Sequence, residues 1–310
     1  MAESSRAVYG AIAANVAIAV TKFAVASITG SSAMLSEGVH SLVDTGDGLL
    51  LLVGLRRSQR PPSEDHPFGH GKELYFWSLI VAVLIFGVGG GVSAYEGIQH
   101  MRAPEPIRDA FWNYVVLALA FVFESISLGI ALRQFLREHP GRPFWQALHN
   151  SKDPTTFTVI AEDSAALAGL VIAALGIWSS EAFGIPELDG AASLLIGMLL
   201  AGVAVLLIRE SRGLLVGEGI QPATARAVRA MAAEEKAVAA AGPVLSMYIG
   251  AQEALVTMEI TLREGTSAAD AAHAIRRIEQ RVRERFPTIR RIYIEPVLAA
   301  GDHALPAVSR

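Results

Sequence analysis

The chain has 310 residues, 52% of them hydrophobic and only 18% charged, and its mean hydropathy is +0.40. A soluble domain carries about 25% charged residues, so this composition leaves the soluble range for that of a membrane protein. The net charge of −4 gives no electrostatic reason to expect nucleic acid, and with no cysteine both disulfides and thiolate metal ligands are excluded.

The start, MAESSRAVYG, lacks the basic, apolar and small-residue pattern of a cleaved signal peptide, so the first apolar stretch is expected to remain as a helix. Six stretches are long enough to span, running roughly 8–28, 33–55, 74–98, 110–132, 155–178 and 188–208. At 1.5 Å per residue, about 20 residues cross the ~30 Å hydrocarbon core. Lysines and arginines orient them: Arg56, Arg57, Arg60 and Lys72 follow span two, and Arg133, Arg137, Arg142 and Lys152 follow span four. The opposite connections offer only Arg102 and Arg108, and none in SSEAFGIPELD. The positive-inside rule then places both termini in the cytoplasm.

Span one carries Asn15, a neutral amide suited to bonding across helices. Span two carries Glu37, His40, Asp44 and Asp47 at spacings of three, four and three, which puts all four on one helical stripe. An ionised group at mid-membrane costs about 2.5–3.5 kcal/mol on insertion scales, so a stripe of them implies a polar cavity or a cation. Imidazole and carboxylate both ligate zinc, and His40 with Asp44 one turn on can share an ion. A helix-packing hydrogen-bond network is the alternative. Glu37 and Asp47, nearer the ends, read as ligands or as gating, water-facing groups. In the following loop, SEDHPFGHGKELYFW, His66 and His70 with Asp65 and Glu64 beside them can bind a second ion, or simply be solvated. Span four adds Glu124, and span five adds Glu162 and Asp163, which point about 100° apart.

After Arg212 the chain reads as a small soluble domain. Pro222 opens a helix, residues 244–249 and 254–262 form strands, and Ser267 with Asp270 starts a helix whose apolar face is Ile275, Ile278, Val282 and Phe286. A last strand covers about 289–296. His273 reads as a surface residue, and Arg276 to Arg285 as a solvated face or dimer-interface charge pattern. The expected fold is therefore an all-α six-helix transmembrane bundle, residues 1–211, followed by a cytoplasmic α+β (ferredoxin-like, αββαβ) dimerisation domain, residues 212–310.

TGSSAMLSEGVHSLVDTGDG (29–48), DHPFGHGKELYFWSLI (65–80) and the six-helix plan with its α+β tail resemble the cation diffusion facilitators over essentially the whole chain. SKDPTTFTVIAEDSAALAG (151–169) and GEGIQPATARAV (217–228) are most similar to the zinc transporter nine branch. The resemblance implies a homodimer in which each protomer exchanges a divalent cation, most commonly Zn²⁺, for protons by alternating access. It implies a tetrahedral site of two ligands on span two and two on span five. His40 and Asp44 match the first pair. Of the His-x-x-x-Asp on span five, Asp163 matches the second position, but Val159 holds the first. Glu162, Glu124 or water then supplies the fourth ligand, and Mn²⁺, Co²⁺, Cd²⁺ or Fe²⁺ enter as alternative ions. His66 and His70 match the family's loop site. In the tail, IYIEPV offers only Glu295.

Proton coupling suits His40, since imidazole titrates near ~6.5 and one nitrogen serves proton or metal. A membrane metalloenzyme is disfavoured by the lack of a His-Glu-x-x-His helix; a scaffold with a vestigial metal site is the remaining alternative. The expected location is a bacterial cell inner membrane, crossed several times.

Overall fold

The structure is a computed structural model and describes residues 2–138, 140–141, 143–144, 147–148 and 154–298. Arg142 and Lys152, which contribute to the expected orientation, fall outside the described residues. A long apolar segment can satisfy its backbone in a bilayer only as a helix or a closed barrel, and the apolar runs here are helices. They are α1 (Ala2–Thr29), α2 (Ser32–Ser58), α3 (Glu73–Leu84), a π-helical segment (Ile85–Gly90), α4 (Gly91–Arg102), α5 (Phe111–Glu138), α6 (Pro154–Phe183) and α7 (Glu187–Val216). Among the described residues, five of the segments are long and apolar enough to cross a membrane: α2, Glu73–Arg102, α5, α6 and α7. In α1 the apolar part among the described side chains is the shorter Asn15–Thr29.

Two compact units divide the chain. The helical unit comprises residues to Pro61 and Lys72–Leu215; the sheet unit comprises Pro62–Gly71 and the residues from Val216 onward. In the helical unit large apolar side chains face outward, among them Phe121, Val122, Phe123, Ile126 and Ile130 of α5, as a lipid solvent permits. The interior combines buried apolar side chains such as Met34, Ile85, Leu170, Ile196 and Leu200 with small and polar residues at the closest helix crossings. A Cβ added at Gly97 in α4 would lie 2.6 Å from the Gly190 carbonyl and the Leu194 amide of α7. One at Gly197 would lie 2.7 Å from the Ala94 amide. Only glycine lets these two backbones approach so closely, the small-residue device of membrane helix pairs. Beside this crossing the Ser193 hydroxyl donates to the Ser93 carbonyl at 2.9 Å and pairs with Ser36 of α2.

The sheet unit runs α8 (Pro222–Ala233), β1 (Val238–Gly250), β2 (Glu253–Leu262), α9 (Ala268–Arg285) and β3 (Ile289–Leu298). Strand order is β1-β2-β3, with β1 antiparallel and β3 parallel to β2, so α9 makes the crossover that parallel neighbours require. The alternation read from sequence holds: Val256, Met258, Ile260 and Leu262 are all buried. The N-cap holds too, since Ser267 Oγ accepts the Asp270 amide at 3.1 Å. β1 starts earlier than expected. Its alanines pair with β2 through register shifts at Val238/Ala240 and Ala241/Val244, the second spanning Gly242-Pro243. The basic run of α9 is partly paired inside the unit, with Arg277 2.6 Å from Glu235 and Arg281 2.5 Å from Glu234. The Arg277 hydrogen bond holds the Glu235 carboxyl below the usual glutamate range.

The segment Pro62–Gly71 packs on this sheet. A Cβ at Gly71 would collide with the Ile249 carbonyl and the Gly250 backbone, and the Arg291 guanidinium sits 5.3 Å from the Phe68 ring centroid.

Candidate metal site

The stripe on α2 begins at a well-fixed helix start. Ser31 caps α2 by accepting the Met34 amide at 3.1 Å. The buried carboxylate of Asp189, from α7, accepts from Ser31 Oγ at 2.7 Å, Ser32 N at 2.6 Å, Ser32 Oγ at 3.0 Å and Ala33 N at 3.3 Å. An anion at a helix N-terminus satisfies orphan amides and complements the macrodipole. His100 of α4 lies beside it, its Nε2 3.9 Å from Asp189 Oδ2.

About two turns into α2, His40 is buried, and its Nδ1 lies 3.1 Å from Asp44 Oδ1. The two form a close i, i+4 pair along the stripe. Both His40 nitrogens, Asp44 Oδ1, both Asp47 oxygens, Glu162 Oε1 and Asp163 Oδ2 are buried without a hydrogen-bond partner. Three helices bring these groups into one electrostatic neighbourhood. Glu162 of α6 feels the charges of Asp47, Asp44, Asp163 and Glu124. Glu124 of α5 feels those of Asp44, Asp163 and His40. Asp163 is hydrogen-bonded by Ser127, three positions after Glu124 on α5. Val159 stands one turn before Asp163 on α6, half-buried and without a donor atom.

Among the described residues, however, no three His, Asp or Glu side chains converge closely enough to hold a metal. A set of unsatisfied carboxylate oxygens and imidazole nitrogens in a bilayer interior is what a divalent cation passing through as substrate would satisfy.

Two expectations change. Glu37 is fully buried and not water-facing: its Oε2 pairs with Lys22 of α1 at 2.9 Å. Asp47 is also fully buried. Sequence reasoning missed Lys22, although an intramembrane lysine is itself a functional signal. It missed Asp189 and Ser127 as well; nothing local marks either, because their partners lie far away in the sequence.

In the loop, His66 and His70 come together with ring centroids 4.5 Å apart, and His70 Nδ1 is buried without a partner. Asp65 and Glu64 are exposed, and no third ligand joins the two rings among the described residues. In the tail, His273 and Glu295 are exposed.

A model of the cation efflux transmembrane domain matches residues 8–216. The chain is 36% identical over 234 residues to the Xenopus laevis "Proton-coupled zinc antiporter SLC30A9, mitochondrial", a match covering 75% of this chain and 42% of that protein. Its Homo sapiens counterpart is 37% identical over 203 residues, covering 65% of this chain and 36% of that protein. The Arabidopsis thaliana "Metal tolerance protein C4" is 35% identical over 219 residues, covering 70% of this chain and 48% of that protein. The chain thus spans less than half the length of these relatives. The expected bacterial cell inner membrane is corrected by these matches, since the frog and human proteins are both named as mitochondrial; multi-pass membrane insertion stands. With the model match covering more than half of its residues, the chain belongs to the cation efflux family, the cation diffusion facilitators, close to the zinc transporter nine branch.

Proposed function

We propose that the chain moves zinc across a bilayer in exchange for protons, away from the side that carries its sheet unit. The ion would pass through a site between the second and fifth spans of a six-span plan in which α1 is span one. The family is one of transporters and not of enzymes. The observation that carries the reading is the set of buried, unpartnered donor atoms on α2 and α6: both His40 nitrogens, Asp44 Oδ1, Glu162 Oε1 and Asp163 Oδ2. The frog and human relatives are named as proton-coupled zinc antiporters, which supports the choice of ion and coupling.

In this reading His40 and Asp44 supply one imidazole and one carboxylate, and Asp163 supplies a second carboxylate. Glu162 or Glu124 replaces the ligand that Val159 cannot provide. Incoming protons displace the ion by occupying the same imidazole nitrogen and carboxylate oxygens. A site with one imidazole and several carboxylates is harder than a two-histidine site, so Mn²⁺ is the second ion it would accept, ahead of Co²⁺, Cd²⁺ and Fe²⁺. His66 and His70 would hold a further ion on the sheet unit, with Asp65 drawn in as the third ligand. The sheet unit, an αββαβ arrangement of ferredoxin-like type, would pair two protomers.

The test is Zn²⁺ uptake into proteoliposomes under an imposed pH gradient. Asp44→Ala should abolish flux while gel filtration shows an unchanged oligomer. Flux near the parent rate in that variant would remove α2 from the ion path.

A further inference from the structure

Lys22 is a buried cation for which the proposed chemistry has no use. It sits in the apolar part of α1 with 1% exposure, and its ammonium reaches three acceptors on α2. These are Glu37 Oε2 at 2.9 Å, Ser41 Oγ at 2.8 Å and the Glu37 carbonyl at 3.4 Å. An ammonium has three donors, so its hydrogen bonding is complete. Glu37 is not complete: Oε1 has no partner, and it faces α6, where a Cβ added at Gly169 would lie 2.5 Å away.

The position of Glu37 on its helix gives this pairing a consequence. At 100° per residue, Asp44 is rotated about 40° from His40 and Glu37 about 60°, so the two acids flank His40 along one stripe. Glu37-Gly38-Val39-His40 is also a Glu-x-x-His, the spacing by which facing helices of metal-binding bundles supply carboxylate and imidazole to one ion. By sequence Glu37 is as well placed a ligand as Asp44, yet the structure gives its carboxylate to Lys22.

We propose that Lys22 is a positioning residue for the ion path: its ammonium holds the Glu37 carboxylate away from the ion at His40 and Asp44 and so limits how tightly that ion is bound. This rests on the reading that His40 and Asp44 hold the transported ion. A transporter must release its cargo on every cycle, and another anionic ligand would deepen the well. Lys22 thus acts as a tethered cation that neutralises Glu37, leaving the cargo to the remaining carboxylates.

The experiment measures Zn²⁺ binding by calorimetry on the full-length protein in detergent, and Zn²⁺ uptake in proteoliposomes. Lys22→Gln frees Glu37. It should tighten the Zn²⁺ Kd at least tenfold and lower the uptake KM and maximal rate together; a purely structural role would lower the rate without lowering KM. Lys22→Gln/Glu37→Gln removes both charges and should return Kd to within threefold of the parent. Glu37→Gln alone leaves an ammonium without its carboxylate near His40 and should weaken binding at least tenfold. An unchanged or weaker Kd in Lys22→Gln, or a double variant that does not revert, overturns the proposal. If Lys22→Gln fails to fold, the neutral double variant and Glu37→Gln decide it, and Glu37→Gln binding as tightly as the parent overturns it. Asp44→Ala tests the underlying site separately. Lost binding there, with no tightening in Lys22→Gln, leaves the site standing and removes only the role of Lys22.

Discussion

Replacing Asp189 should loosen the start of α2, and the size of the loss follows from its contacts. Its carboxylate accepts from two hydroxyls and two backbone amides at 2.6–3.3 Å, and no part of it is exposed. A hydrogen bond to a charged acceptor contributes about 1.5–3 kcal/mol, but four bonds sharing one carboxylate do not add. Removing one partner of a buried charged network costs about 3–5 kcal/mol, and Asp189→Ala should fall in that range. Asp189→Asn should cost about half as much, because its amide nitrogen would face donors, although the Ser31 hydroxyl can turn to accept from it. Glu187→Ala, exposed on the same first turn of α7, should change stability by less than about 0.5 kcal/mol. The assay is reversible unfolding in mixed micelles followed by circular dichroism, with Zn²⁺ binding measured on the folded protein. If Asp189→Ala is no less stable than Glu187→Ala, the carboxylate does not hold the start of α2.

Gly97→Ala would place a methyl carbon 2.6 Å from the α7 backbone and should destabilise the helical unit by about 1–3 kcal/mol, whereas Gly129→Ala, with open space around it, should be neutral or better. Thermal unfolding of the two variants compares them. In the sheet unit, Glu235 has its pKa depressed by Arg277, so its contribution is present above the unfolded glutamate value of about 4.3 and is lost as pH falls through the folded value. Glu235→Gln should therefore lower the melting temperature at pH 7, with the gap to the parent closing in acid; a gap independent of pH would count against the pairing. Val159→His should shift ion preference towards Zn²⁺ over Mn²⁺, and Glu162→Gln should weaken both, as read by calorimetry with each ion. If Glu124→Gln weakens binding and Glu162→Gln does not, the added ligand comes from α5.

Features of the fold that are legible in the sequence and those that are not divide along one physical line. Periodicity is local, so the alternation in β2, the apolar face of α9 and the acid-histidine stripe of α2 can all be read from the order of residues alone. Register breaks are harder: β1 takes in an alanine run whose composition suits a helix, and its pairing with β2 overrides that preference. Partners across the fold leave no local mark. Lys22 meets Glu37 15 positions on, and Asp189 meets Ser31 158 positions away, so along the chain each stands as an isolated charge. Glu37 reads as either a ligand or a gating, water-facing group for the same reason: the stripe places it correctly, but its cation lies on another helix.

Because Pro62–Gly71 belongs with the sheet while both of its neighbours in the chain belong with the helices, the polypeptide passes between the two units three times. The sheet unit is therefore not a contiguous cassette. A fragment cut to begin at Val216 would lack the strap that covers Ile249 and Gly250 and seats Phe68 under Arg291. Exchange of tails between homologues by a single crossover near Val216 would pair each new sheet with a foreign strap. A graft that carries Pro62–Gly71 along with the tail keeps the matched surfaces together, so successful chimaeras should need two junctions more than a linear map of the chain suggests.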